Sequence, residues 1–437
     1  MIILHYFLGF PPYRTGGLTK FAFDLMKSQA LDNSKVIALW PGEIKNYKAS
    51  PKIKERKKIS NIKNFELVNS LPISLDEGIN EFEAYTRFCE IEIYINFLKK
   101  IAPNVIHLHT LMGLHKEFIL AANKLGIRII MTSHDYFGIC PKVNLYRYGK
   151  CCIDDNECRD CIQCNLTPLS LKKIQIMQSP IYRLLKENYI VKLLRKKHRE
   201  KFYLEKIIPK LPDVNIEDLA EKYRKLRRYY IEMYEKIDFI HFNSTVTEKI
   251  YKKYIKPKNS KVISITHQEI KEHQRTRAKN EKKRILYLAP AKPYKGWNVL
   301  KEACDQLWRE GEKIELRVFS PVMNPSPYMI IKSNGFKYSE LSKIMNEGDV
   351  LVAPSIWYET FGFTVLEALS YKVPVIVSDH VGAKDIIKNN GIIVKAGDIN
   401  ELKNAIKTIN IDVDIQLKSW NEFLGEIYEI YGEKYDN

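Results

Sequence analysis

Short β-branched and aromatic runs alternate with charged, helix-forming stretches along nearly the whole chain, and this alternation is what builds parallel sheets covered by helices. Two series of six runs can be traced. The first is IILHYF (2–7), KVIALW (35–40), NVIHLHT (104–110), RIIMTSHD (128–135), FIHFNS (239–244) and VISITH (262–267). The second is RILYLAP (284–290), IELRVFS (314–320), MIIKSNGF (329–336), DVLVAPS (349–355), VPVIVSD (373–379) and GIIVKAG (391–397). Between them KEHQRTRAKNEKK (271–283) is polar and has no apolar period, as an interdomain linker should be. An α/β protein of two Rossmann-like halves facing a cleft is expected, with its working residues just beyond the strands, where ligands of open α/β sheets collect. The closing segment SWNEFLGEIYEIY (419–431) has apolar residues at helical spacing and suits a final helix docking across both halves.

Length and composition agree with two domains. The chain has 437 residues, 45% of them hydrophobic and 28% charged, which excludes both a miniature scaffold and a disordered chain. Lys plus Arg exceed Asp plus Glu by 70 − 52 = 18, so an anionic partner is expected: a phosphorylated small molecule, an acidic lipid surface or a nucleic acid. No stretch has the ~18–20 apolar residues of a membrane-spanning helix. The opening MIILHYFLGF has no basic region before it and runs into PPYRTGG, so it reads as a first strand and loop, and a cytoplasmic address is expected. Residues 171–230 interrupt the strand pattern with a charged, helical insertion holding 17 Lys and Arg against seven Asp and Glu. Ile181, Leu184, Leu185, Ile190, Leu193 and Leu194 make it partly amphipathic. It reads equally as a solvated hairpin or as a surface meeting anionic phospholipid at the inner face of a membrane.

The strongest local constellation is PSIWYETFGFTVLEAL (354–369). A strand ends, a loop carries Glu359, and Gly362 opens an apolar helix that carries Glu367. At ~1.5 Å rise per residue the carboxylates are at most about 12 Å apart, roughly the span from the sugar to the ribose of a nucleotide sugar. The free N–H groups of Gly362, Phe363 and Thr364 lie between them, where a diphosphate is favoured. Spacing alone allows a simpler reading, with Glu359 as a helix cap and Glu367 as a solvated helical residue.

This stretch resembles the Glu-x7-Glu signature of glycosyltransferase family 4, whose members are retaining enzymes of GT-B fold. NGFKYSELSKIMNEGDVLVAPS (334–355) and YKVPVIVSDHVGAKDIIKNNGIIVKAGDINELKNAI (371–406) resemble that family's C-terminal domain element by element. The resemblance implies that Glu359 faces the donor sugar and stabilises departing charge, while Glu367 holds the ribose diol, with Phe361, Gly362 and Phe363 lining the donor site. Lys295, on the loop LAPAKPYKGW (288–297), is placed to neutralise the leaving diphosphate, with Gly296 letting the backbone turn. The family usually has an Arg five or six residues earlier; Pro290 and Ala289 stand there, and Lys292 is the nearest substitute, a point charge without the fork of Arg. In PPYRTGGLTKFAFDLM (11–26), Gly-Gly alone marks only a turn, but with the resemblance Gly17 and then Gly16 become candidates for close passage beneath the donor diphosphate or the acceptor. Among the strand-end histidines, His107 and His109 share one face and read as cleft-floor residues. His134 stands where the family carries a cleft histidine, with Asp135 beside it to orient it or to bind acceptor hydroxyls.

Six of the eight cysteines crowd into 140–164. Cys158-x2-Cys161-x2-Cys164 has metal-ligand spacing, and Cys152, Cys151 or Cys140 could supply a fourth thiol. The set Cys152, Cys158, Cys161 and Cys164 suits a structural zinc, with an iron–sulfur cluster the less favoured alternative. By resemblance no metal is required for catalysis.

These readings imply an N-terminal acceptor domain over 1–270 containing a Cys-rich loop and basic helical insertion at 140–235. The linker at 271–283, a nucleotide-sugar-binding domain at 284–415 and a final helix within 416–437 complete the expected layout. The implied function is transfer of a sugar, with retention, from a nucleotide-diphosphate sugar to a hydroxyl of a glycan or lipid-linked saccharide in surface polysaccharide synthesis. An inactive nucleotide-sugar-binding or adaptor protein of the same fold is the alternative. Nucleic-acid binding is disfavoured, because no motif interleaves aromatic and basic residues and the basic excess sits in one insertion.

Overall fold

The structure, a computed structural model, describes residues 1–152, 154–195, 215–275 and 281–432. The centre of the expected linker (276–280), much of the basic insertion (196–214) and the last five residues of the expected C-terminal segment lie outside the described residues.

The first sheet contains β1 (Ile2–Tyr6), β2 (Lys35–Pro41), β3 (Lys52–Ile59), β4 (Ile62–Val68), β5 (Val105–Leu108) and β6 (Arg128–Ser133). A two-stranded ribbon follows, β7 (Tyr146–Arg147) with β8 (Lys150–Cys151), before β9 (Phe239–Phe242) and β10 (Ser260–Val262) complete the sheet. Its order is β10-β9-β6-β5-β1-β2-β4-β3, parallel except between β3 and β4. The second sheet contains β11 (Lys283–Tyr287), β12 (Ile314–Val318), β13 (Met329–Ile331), β14 (Val350–Ala353), β15 (Val375–Ser378) and β16 (Gly391–Val394). Its order is β13-β12-β11-β14-β15-β16, parallel throughout. Strand order reverses between β1 and β5 and between β11 and β14, and a doubly wound sheet opens its ligand crevice at such a point.

The pattern of runs missed one hairpin and overran two strands. KIKERKKI is charged along its length because β3 is an edge strand, where lysines discourage pairing with other chains. The turn between β3 and β4 is Ser60-Asn61, both with positive φ (49° and 64°), a two-residue hairpin turn without the usual glycine. The run at 262–267 overlaps the strand only at Val262, so Thr266 and His267 face the interior from a loop. The run at 329–336 likewise leaves the sheet after Ile331.

The helix Trp420–Tyr431 joins the halves. Ser419 and Glu422 cap it reciprocally, and Gly432 closes it in the left-handed conformation. Its apolar face enters a core that combines Ile3, Phe21 and Ile130 of the first half with Leu286, Val365 and Val377 of the second. Phe423 is fully buried there, edge-on to Phe21, while Trp420 donates from Nε1 to Ser28 Oγ (2.8 Å) and Arg128 donates to the Ile430 carbonyl (3.0 Å). Phe423→Ala should therefore cost about 3–5 kcal/mol. The expected readout is a clear drop in the urea midpoint of the full chain; an unchanged midpoint would show that this helix contributes little.

Candidate active site

Two loops at the reversal point of the second sheet meet across it. After β11 the chain passes through a turn at Pro293–Lys295 that ends at Gly296 (φ 77°), and after β14 it runs through Pro354 to Gly362. A Cβ on Gly296 would sit 1.9 Å from the Pro354 carbonyl oxygen, so glycine is needed both for the turn and for the contact between the loops. That contact brings Lys295 Nζ to 2.7 Å from Glu359 Oε1, and the Ser355 hydroxyl donates to Glu359 Oε2 (2.6 Å). Burial works against ionisation of Glu359, but the charge and hydrogen bond of Lys295, with the Ser355 hydroxyl, hold the carboxyl below its ordinary range. Glu359 is thus a paired carboxylate and not a cap.

The helix beyond it, Phe363–Ser370, starts at Gly362 (φ 106°) with no side-chain cap. The helix Gly17–Leu31 starts the same way after Gly16 (φ 116°), again with no acidic residue in its first turn. The two N-termini converge: a Cβ on Gly17 would lie 3.6 Å from the Phe363 ring, and one on Gly362 would lie 3.8 Å from the Glu359 carboxyl carbon. Uncapped N–H groups from both halves therefore face one region beside Lys295, a setting that favours an anion. Phe361 takes a different part, buried in the core with its carbonyl accepting from Ala383 N–H (2.7 Å).

Glu367 lies against a residue that sequence reasoning passed over. His267 Nε2 is 3.5 Å from Glu367 Oε1, and the His267 ring packs edge-on to Phe363 at 5.4 Å. His267 is 1% exposed and neither ring nitrogen has a hydrogen-bond partner; the neighbouring Thr266 hydroxyl is buried and unpartnered as well. Buried polar atoms in this state are costly unless something satisfies them. The signal in the sequence was only a histidine at the end of a run read as a strand. Lys292 sits elsewhere, with Arg14, Lys186 and Tyr294 on the wall of a cavity of about 680 Å³ between the first loop, the insertion and the second half.

His134 belongs to a chain of buried hydrogen bonds beneath the cleft. His241 Nε2 lies 2.7 Å from the Ile263 carbonyl, which can only accept, so His241 donates there and its Nδ1 accepts from the Thr132 hydroxyl (3.0 Å). Thr132 then accepts from His107 Nε2 (2.7 Å), and His107 Nδ1 accepts from the Tyr431 hydroxyl (2.6 Å). Tyr431 accepts from Gln29 Nε2 (3.1 Å), and Gln29 Oε1 accepts from His5 Nε2 (2.7 Å). His5 Nδ1 accepts from His109 Nε2 (3.1 Å), and His109 Nδ1 accepts from His134 Nε2 (3.3 Å). With neutral rings each step forces the next, so His134 carries its proton on Nε2 and keeps a lone pair on Nδ1. Burial lowers His5 and His241 to about 4 and His134 to about 3, and holds His107 and His109 well below their ordinary value, with neighbouring histidines adding to the effect. Asp135 does not orient His134; its oxygens accept from Phe137 N–H (2.9 Å) and the Thr110 hydroxyl (3.0 Å).

The loop bearing Glu359 is also held from the first half. The Ser244 hydroxyl donates to the Thr360 carbonyl (2.6 Å), the Thr360 hydroxyl to the His134 carbonyl (3.3 Å), and the Cys151 thiol to the Ile356 carbonyl (2.8 Å).

Two doubly wound sheets with their crevices meeting around a Lys-Glu pair define a GT-B fold, and residues 282–412 match the family described as Glycosyl transferases group 1. The chain thus has a GT-B fold, and part of its second half is similar to a glycosyl transferase domain. Sucrose-phosphate synthase from Thermosynechococcus elongatus superposes with a TM-score of 0.53 at 15% identity, over 93% of this chain and 88% of that one. An α,α-trehalose-phosphate synthase (UDP-forming) from Burkholderia xenovorans, in complex with glucose-6-phosphate, gives a TM-score of 0.51 at 12% identity, over 95% and 93%. In sequence, the sulfoquinovosyl transferase SQD2 of Arabidopsis thaliana is 33% identical over 102 residues, which is 22% of this chain and 19% of that protein's length.

The histidine chain makes stability depend on pH. Unfolded histidines titrate near ~6.5, whereas the five buried rings stay neutral to much lower pH. Their contribution is complete above about 6.5 and is lost as pH falls toward 4. Asp135, which burial raises to about 6, opposes this with a single proton. The urea midpoint should fall between pH 7 and pH 4.5 with net uptake of more than one proton on unfolding; a flat profile across that window would contradict neutral, buried rings.

Proposed function

We propose that the protein is a retaining glycosyltransferase that moves a sugar from a nucleoside-diphosphate sugar to a hydroxyl of a lipid-linked or surface glycan. The observation that carries this reading is the Lys295–Glu359 pair facing two uncapped helix N-termini. A diphosphate placed there meets Lys295 and the free N–H groups, and its sugar lies toward Glu359 and His134. The ribose falls to Glu367 and His267, whose unpartnered nitrogens a diol would satisfy. UDP-glucose and UDP-2-fluoro glucose occupy two proteins of similar fold, which supports a nucleotide-sugar donor.

Retention follows from front-face attack. The bond from the anomeric carbon to the diphosphate oxygen breaks, the acceptor oxygen bonds to the same face, and the acceptor proton passes to the departing diphosphate. Lys295 balances the growing negative charge and Glu359 the positive charge on the sugar. His134, with its proton committed inward, can accept a hydrogen bond at Nδ1 from a sugar hydroxyl and so positions the sugar without acting as an acid.

Calorimetry with UDP, GDP and dTDP tests the donor assignment. One nucleotide should bind, and Glu367→Ala should weaken it about tenfold or more, the loss of a charge-assisted hydrogen bond at ~1.5–3 kcal/mol, with His267→Ala weakening it as well. Glu359→Ala should bind normally and lose turnover. Full activity in Glu359→Ala would remove the assignment, and binding without turnover in the unaltered chain would favour an inactive binding protein.

The acceptor side points to lipid. Arg183 pairs with buried Glu66 (2.6 Å) and Lys186 donates to the Pro12 and Tyr13 carbonyls (2.9 and 2.7 Å), so the insertion is docked on the first half. Its outer face nevertheless leaves Ile181, Leu184, Ile190 and Leu194 exposed, Leu184 by 84%, beside Lys192 and Arg195. Among the described residues no helix is long and apolar enough to cross a bilayer. A peripheral contact with an anionic membrane at its cytoplasmic face suits this surface and places the 680 Å³ cavity at the lipid boundary. The protein should float with vesicles containing phosphatidylglycerol, and Leu184→Asp with Ile190→Asp should abolish flotation; equal recovery of the double variant would dispose of the contact.

A further inference from the structure

Of the four cysteines expected to hold a metal, Cys158 and Cys161 bring their thiols together with an Asp155 oxygen, all within 4.8 Å of one another. Among the described residues Cys152 and Cys164 do not join that group, and Arg227 pairs with the same Asp155, so positive charge is already in place beside it.

The basic insertion is fastened more firmly than a solvated hairpin requires. Gln178, 1% exposed, ends the helix Leu171–Gln178, donating to the Gly42 carbonyl (2.8 Å) and accepting from Ile73 N–H (3.1 Å). The next helix, Pro180–Leu185, opens with Ser179 accepting from Tyr182 N–H (3.2 Å) and with proline at its first position. Its Arg183 lies over the rings of Tyr13 (5.0 Å) and Trp40 (4.7 Å) and reaches buried Glu66 (2.6 Å), a carboxylate that Arg56 holds as well (2.7 Å). Lys186 follows directly and turns to a loop. Only 8% exposed, it donates to the Pro12 and Tyr13 carbonyls (2.9 and 2.7 Å), acceptors without which a buried ammonium is costly. That loop joins β1 to the helix Gly17–Leu31. Pro11 and Pro12 supply no N–H, so the stretch has little means of tying down its own carbonyls. Just beyond Tyr13 it reaches Gly16, after which the first helix turns its free N–H groups toward Lys295 and Glu359.

We propose that Lys186 is a positioning residue for the donor diphosphate: held by the insertion, it fixes the Pro12–Tyr13 backbone and with it the direction in which the first helix presents its N–H groups. The inference rests on the reading of that region as a nucleotide-sugar site and gives the insertion a part in it. Lys186 acts through the loop.

The test is calorimetry on the full chain with UDP, GDP and dTDP, and displacement of the bound diphosphate by the matching nucleoside, in the unaltered protein, Lys186→Met and Lys186→Arg. Lys186→Met keeps the apolar stem and removes the cation; it should weaken the diphosphate about tenfold and leave the nucleoside within about twofold. Lys186→Arg keeps a cation with donors for both carbonyls and should hold the diphosphate within about threefold of the unaltered chain. A loss shared equally by diphosphate and nucleoside, or no loss at all, overturns the positioning role. Amide exchange read by mass spectrometry needs no ligand. Residues 10–17 should exchange faster in Lys186→Met, with β1 and β2 unchanged, and equal rates in residues 10–17 overturn the clamp. Binding of none of the three nucleotides by the unaltered chain is a failure of the donor reading and takes the positioning role with it; binding that Lys186→Met leaves intact sinks this inference alone. Should Lys186→Met fail to fold, Lys186→Gln, too short to span to both carbonyls, is read in the same way.

Discussion

The ion pair between Lys295 and Glu359 sets the terms for the cleft. Neither charge is free in water, so each needs the other, and removing one partner leaves an uncompensated charge. The pair exists only because two loops approach closely enough for Gly296 to touch the Pro354 carbonyl. Those loops meet because β11 and β14 are neighbours at the point where the sheet reverses. The first half then grips the same loop through Ser244, His134 and Cys151. The pair is therefore as much a result of the two-sheet architecture as a part of the site. An anion entering beside it gives Lys295 a second partner without a new desolvation cost, because the cation is already held in place.

A second polar system lies below, and its logic is directional. Eight hydrogen bonds run one way from the Ile263 carbonyl to His134, passing through Tyr431 of the closing helix. His5, His107, His109 and His241 have both ring nitrogens hydrogen-bonded, the condition under which a polar network gives order without a stability penalty, and half-buried His134 ends the chain. Because Tyr431 and Gln29 are links, the tautomer of His134 depends on the docking of a helix at the far end of the chain. Fold closure and the proton state of a cleft residue are thereby coupled.

Much of this was legible beforehand. The twelve runs located most of the parallel strands, and the structure places Glu359 on a loop and Glu367 on the helix after it, as their spacing implied. Three features were not legible, for different physical reasons. The β3–β4 hairpin was hidden because an exposed edge strand is chosen for charge and not for apolar alternation. Gly296 turns the backbone as expected (φ 77°), but its second part, the close approach to the Pro354 carbonyl, leaves no local trace in the sequence. His267 was missed because a histidine at a strand end is usually a satisfied core residue, and only the three-dimensional setting shows its nitrogens unpartnered opposite Glu367.

The missing Arg before Lys295 gains meaning from placement. Lys292, the nearest cation, faces the cavity with Arg14 and Lys186, not the Lys295–Glu359 pair. The same wall carries Asp76 and Glu77, so its charge is mixed. The two uncapped helix ends beside the Lys295–Glu359 pair remain as the setting that favours an anion, and their partial charges require no desolvation of a side chain.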